Sequence, residues 1–221
     1  MPSRKKTKSK SNHRFFWPLL AVVFIIWSLY RYLFNWPIIV DELVIKAIVF
    51  ALPVLVYVKL SHYSAIMDSF APHLMKRGLL VGLAVAGIFG FAATILAFIT
   101  QSAVPQPLAL FSAEYFTWEL LLALITSFFE TLFFFSFVML VVQDLYPRWS
   151  LLKQLLLVAT IFVVFHLPNL LLNFTGMDVL YQFLLLFALA LGEGLWFSQR
   201  RNAYSLVMIQ AIWGLVLLLH F

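Results

Sequence analysis

A chain of 221 residues that is 64% hydrophobic and only 11% charged lacks the charged side chains with which an ordinary soluble domain of this length covers its surface. Its net charge of +6 carries no nucleic-acid signal, because six of its fifteen Lys and Arg residues crowd into the first fourteen positions, "MPSRKKTKSKSNHR", directly before an apolar run. The absence of cysteine excludes disulfides, thiolate metal ligands and thiol nucleophiles.

Several apolar runs reach the length of about 20 residues that crosses a bilayer. The sequence therefore predicts an all-α fold, a polytopic membrane helix bundle of about seven transmembrane helices with its N-terminus cytoplasmic. Residues 1–14 read as a basic cytoplasmic tail, held near the membrane by anionic lipid. The run that follows, "FFWPLLAVVFIIWSLYRYLF", is too long for a signal-peptide core and has no small-residue cleavage pattern behind it, so it reads as a retained anchor.

In chain order, apolar runs between breakers place helices at 15–34, 38–58, 78–99, 118–142, 151–172, 178–198 and 203–220. With the N-terminus inside and the C-terminus outside, thirteen of the fifteen basic residues fall on the cytoplasmic side, and the outer loop 100–117 has none. The two exceptions have local explanations. Arg31, near the outer end of the first span, is placed to snorkel, and Lys46 follows Glu42 by one turn in "DELVIKAIV", the favourable order for an ion pair. Trp17, Trp27, Trp36, Tyr30 and Tyr32 read as an aromatic belt, and His13, His62, His73 and His220 as solvated residues near loops or ends.

Ionisable residues at bilayer depth are costly and usually face partners or a wet cavity. Glu130 sits inside "ITSFFETLFFFSFVMLVV" and His166 inside "FVVFHLPNLLLN". At 1.5 Å per residue from the cytoplasmic ends of their helices they lie about 18 and 22 Å deep, at one level. Asn169 and Asn173 extend the polar stripe of His166, Pro168 is expected to kink the helix there, and Ser127 and Glu119 share the face of Glu130. Three chemistries are open to such a pair. Glu130 and His166 can share a metal ion such as zinc with water; Glu130 can act as general base for water; or the two can form a buried hydrogen bond that joins their helices.

The order of these features resembles the CPBP intramembrane proteases, a family that includes the type II CAAX prenyl proteases and bacteriocin self-immunity proteins. "FETLFF" stands where the family's first motif, E-E-x-x-x-R, belongs and keeps its second acid as Glu130. "FVVFH" matches the second, F-x-x-x-H, ending in His166, and "HLPN" extends it. In "ALALGEGLWFSQRRNAYSLVMIQAIWG", Ala190 and Gly194 keep a small-xxx-small spacing, while Gln210 and Gly214 stand where the last motif has His and then Asn or Asp. The resemblance implies residues 78–221 as a CPBP-like core, residues 15–77 as two added N-terminal transmembrane helices, and a reduced site.

On that resemblance the chain is expected to be an intramembrane metallo- or glutamate endopeptidase, with Glu130 and His166 catalytic and holding zinc if a metal is present, and Asn169 or Gln210 assisting. Two alternatives stand beside it: a catalytically inactive CPBP-like membrane protein that binds a peptide or partner helix in an immunity or adaptor role, and a small proton-coupled transporter with Glu130, His166 and Glu193 as its relay. The partners expected are membrane lipid and a peptide or membrane-protein substrate, with no nucleic acid. The expected location is the plasma (inner) membrane of a prokaryote.

Overall fold

The structure, a computed structural model, describes residues 13–101 and 116–220, so most of the outer loop expected at 100–117 lies outside the described residues. Every regular element among the described residues is helical: α1 (Phe16–Leu33), α2 (Val40–Ser61), the short α3 (Ala65–Asp68), α4 (Pro72–Gln101), α5 (Phe116–Leu145), α6 (Leu151–Asn173), α7 (Met177–Arg200) and α8 (Ala203–His220). Six of these are long and apolar enough to cross a membrane, and α8 adds a further apolar helix of 18 residues. The chain is an all-α polytopic membrane bundle.

The centre of the bundle is α5. Its apolar window is 78% buried, against 17% for those of α4 and α7, because the run from Leu132 to Val142 is apolar on nearly every side and so has no lipid-facing stripe to spare. Phenylalanine rings radiate from it to its neighbours. Phe137 meets Phe16 of α1 at 5.5 Å, Phe133 meets Phe50 of α2 at 5.0 Å, Phe134 meets Phe162 of α6 at 4.8 Å, and Phe135 meets Phe197 of α7 at 6.5 Å. Such offset and edge contacts add about 0.5–1.5 kcal/mol per pair beyond area burial.

Two elements are not simple α-helices. In α2, Val40–Ile45 and Ala47–Ala51 are π-helical, with Lys46 between them. In α5, Glu130 is the last α residue before the π-helical stretch Thr131–Met139. A π-turn widens the helix and re-aims side chains, and such turns are frequent at functional sites. Apolar periodicity does not reveal them in runs that are apolar all round.

Small residues set the closest approaches. A Cβ on Gly82 of α4 would lie 2.5 Å from the Ser205 carbonyl oxygen of α8, and one on Gly194 of α7 would lie 2.8 Å from Leu155 of α6. At Gly82 the neighbour is backbone, so only glycine admits it at that distance, whereas at Gly194 the leucine tip can move aside. The α1 and α2 helices join the same apolar core as α5 and α6, and Trp27 of α1 donates its indole N–H to the Phe165 carbonyl of α6 at 2.9 Å. Trp27 is thus buried rather than part of an aromatic belt, while Trp17, Tyr32 and Trp36 are exposed as that belt requires. Pro168 lies inside α6, which continues to Asn173.

Candidate functional site

Four helices bring polar side chains to one buried point. Glu130 (α5), Lys46 (α2) and Gln210 (α8) are each 8% exposed or less, and His166 (α6) is half-buried beside them. Lys46 Nζ donates to Glu130 Oε1 at 2.9 Å, and Gln210 Nε2 donates to Glu130 Oε2 at 2.5 Å. Lys46 also pairs with Glu42 Oε2 at 2.7 Å, the i, i+4 contact expected from the sequence, and Thr126 donates to the same Glu42 oxygen. Thr131 Oγ donates to Gln210 Oε1 at 3.3 Å and orients that amide.

His166 reaches the site without bonding to Glu130. Its Nδ1 lies 2.8 Å from the Phe162 carbonyl, which can only accept, so this nitrogen carries the proton. A neutral ring then presents Nε2 as an acceptor to Glu130 Oε2, another acceptor, 3.9 Å away. That distance is beyond a hydrogen bond. The direct Glu–His hydrogen bond is therefore not made; the imidazole stacks on Phe162 at 4.2 Å between ring centres instead.

Of the residues singled out in the sequence, Glu130, His166 and Gln210 come together. Asn169 does not join them: its carbonyl accepts from Asn173 Nδ2 at 2.9 Å, and its Oδ1 is buried without a partner among the described residues. Lys46 is the residue that sequence reasoning missed as a partner of Glu130. The signal was present, since α5 contains no Lys, Arg or His and, apart from Lys153 at the cytoplasmic end of its helix, only Arg31 and Lys46 place a Lys or Arg within the predicted spans. Arg31 proves to be engaged elsewhere, paired with Asp41 and set over the Trp27 ring at 5.4 Å.

The donor set does not fit zinc. Among the described residues no group of three or more His, Asp and Glu side chains converges, both Glu130 oxygens are held by fixed donors, and an ammonium occupies the position that a cation would need. What the arrangement does chemically is join α2, α5 and α8 through a desolvated ion pair and the Gln210 amide. A polar cavity of about 540 Å³ approaches it where α1 ends and α2 begins, lined by Arg31, Asp41, Glu42 and Asn173 among others. Through Glu42, the ion pair is one side chain from that cavity.

A second polar cluster closes the opposite end of the bundle. His13 Nδ1 lies 2.5 Å from the Tyr57 hydroxyl and its Nε2 3.8 Å from Asp144, with its side chain 9% exposed. This corrects the expectation of a solvated His13, whereas His62 and His73 are exposed. No protein family, curated protein or solved structure matches this chain.

Proposed function

We propose that this chain is a non-catalytic integral membrane protein on a CPBP-like scaffold, one that binds a peptide or partner helix within the bilayer instead of cutting it. The observation that carries this reading is the engagement of Glu130, whose two oxygens are committed to Lys46 and Gln210. A general base needs a basic lone pair aimed at the water it activates, and here each oxygen already accepts from an ordered donor, which lowers its basicity. The emptied motif positions, Phe129, Phe134, Gln210 and Gly214, point the same way.

The test is a comparison of wild-type and Glu130→Gln protein in lipid nanodiscs, each incubated with a pool of membrane-derived peptides whose products are read by mass spectrometry. Identical product spectra are expected. Products that wild type makes and Glu130→Gln does not would overturn the reading and establish the endopeptidase. One observation favours that second reading: the polar cavity reaches Glu42, which is linked to Glu130 through Lys46.

The same proposal places the chain in a prokaryotic plasma (inner) membrane with the N-terminus inside. Supporting it, His13, Leu74, Asp144, Arg201 and Asn202 meet at one end of the bundle, through the contacts His13–Asp144, Asn202–Leu74 and Arg201–Gln143. That end also carries most of the basic residues. Because the chain has no cysteine, Trp149→Cys and Thr175→Cys each introduce a single thiol. A membrane-impermeant maleimide applied to intact cells is expected to label position 175 and spare 149; the reverse pattern would invert the topology.

A further inference from the structure

A second cavity, of about 380 Å³, opens between α4, α7 and α8, away from the Glu130 network, and is lined by Phe89, Leu189, Gly192, Glu193, Trp196 and Trp213 among others. Its volume lies in the range of small-molecule sites, about 300–1,000 Å³. A position near the end of α7, shortly before Arg200 and Arg201, would leave Glu193 solvated or paired. Instead it is 3% exposed, and neither carboxylate oxygen has a hydrogen-bond partner among the described residues. Seven residues before Arg200, it sits about 10 Å inside the end of α7.

A buried carboxylate without a donor is expensive and asks for one. The wall around it is apolar and aromatic. Trp196 has already donated its indole N–H to Ser205 Oγ at 3.0 Å and so offers the cavity its ring, while the Trp213 N–H is buried without a partner among the described residues. A hydrocarbon tail would leave both Glu193 oxygens unsatisfied, and an acidic ligand would set two acids together. A cation with an apolar body meets both requirements, because the ammonium donates to the carboxylate and is attracted by aromatic faces.

We propose that this cavity binds a lipophilic protonated amine, with its ammonium against Glu193 and its body among Phe89, Trp196 and Trp213. The proposal does not depend on the reading of Glu130. Such an amine can come from the bilayer, as a long-chain alkylamine, or from water, as a small arylalkylamine.

The test uses the full chain in nanodiscs and a photoactivatable dodecylamine, with labelled residues mapped by mass spectrometry. Saturable labelling on α4, α7 and α8 is expected, falling about tenfold or more in Glu193→Gln, which keeps the side-chain shape and removes the charge. Unlabelled dodecylamine is expected to compete and dodecanol to fail. Competition by phenethylamine as well identifies the aqueous source, and its failure the bilayer source.

Gly192→Leu supplies a variant that leaves Glu193 in place. A Cβ at Gly192 meets nothing within 4 Å, so the leucine fills the cavity without pressing on the backbone, and it is expected to abolish labelling. Equal labelling of wild type and either folded variant, equal competition by dodecanol, or label spread over the lipid-facing surface would overturn the proposal.

Discussion

Removing the ammonium from the buried network tests its energetics most directly. Lys46 lies between two carboxylates, 2.7 Å from Glu42 and 2.9 Å from Glu130, and is 6% exposed. Lys46→Met keeps most of the side-chain volume and leaves the buried Glu130 facing the partly buried Glu42 without a cation. Breaking a buried pair by deleting one partner costs about 3–5 kcal/mol. Glu130→Gln is a different perturbation. It leaves a one-to-one Lys46–Glu42 pair, and the new amide can still accept from Lys46 through its oxygen, so its cost is about 1–2 kcal/mol, near that of one weakened hydrogen bond. The triple variant Glu42→Gln, Lys46→Met, Glu130→Gln removes all the charge and is expected to recover most of the loss, since apolar or neutral replacements of buried pairs are often close to neutral. Reversible unfolding in mixed micelles, titrated with a denaturing detergent, reads all three. A Lys46→Met protein no less stable than Glu130→Gln would refute the reasoning, because it would mean that the lysine neutralises nothing.

Gln210→Leu strips the donor from Glu130 Oε2 and is expected to cost about 1–3 kcal/mol in the same unfolding assay; no loss would show that Oε2 finds another partner. Gly82→Ala drives a methyl group against the Ser205 backbone oxygen and is expected to destabilise by about 1–3 kcal/mol. Gly87→Ala, where a Cβ meets nothing within 4 Å, should instead gain up to about 1 kcal/mol from helix propensity, and equal effects at the two sites would remove the packing argument. At His13, burial outweighs the attraction of Asp144 and holds the imidazole below its ordinary value of 6.5. The docked ring therefore binds fewer protons than the undocked one, so its contribution is complete above pH 6.5 and is lost as pH falls below that value. An NMR titration of His13 should give a midpoint below 6.5, with backbone exchange near Phe16 rising as the ring protonates; a midpoint above that would contradict the placement.

The helices were legible because bilayer thickness and backbone hydrogen bonding leave a chain this apolar few alternatives. So was the nearness of Glu130 and His166, which depth counting places at one level, whereas Gln210 was singled out only by the resemblance to the family's last motif. What stayed hidden was pairing over distance. Lys46 has an adequate partner one turn away in Glu42, and nothing local reveals its second partner 84 residues later. The π-helical stretch of α5 was invisible for a related reason: where nearly every side is apolar, a period of 3.6 and a wider one predict the same residues. Trp27 and His13 each resembled an interface residue by position, and each found a polar partner in the interior, on α6 and α2 respectively.

The Lys46–Glu130 pair also bears on how the chain is built. During synthesis α2 precedes α5, and its lysine enters the bilayer accompanied by its own carboxylate, so that helix needs no help from later segments. By contrast, α5 carries Glu130 with no basic residue along its length, and its acid meets a counter-charge only in a helix already inserted. Chain order thus supplies the cation before the anion that depends on it. A fragment beginning after α2 would present α5 to the insertion machinery as a long apolar helix with an unanswered charge at its middle.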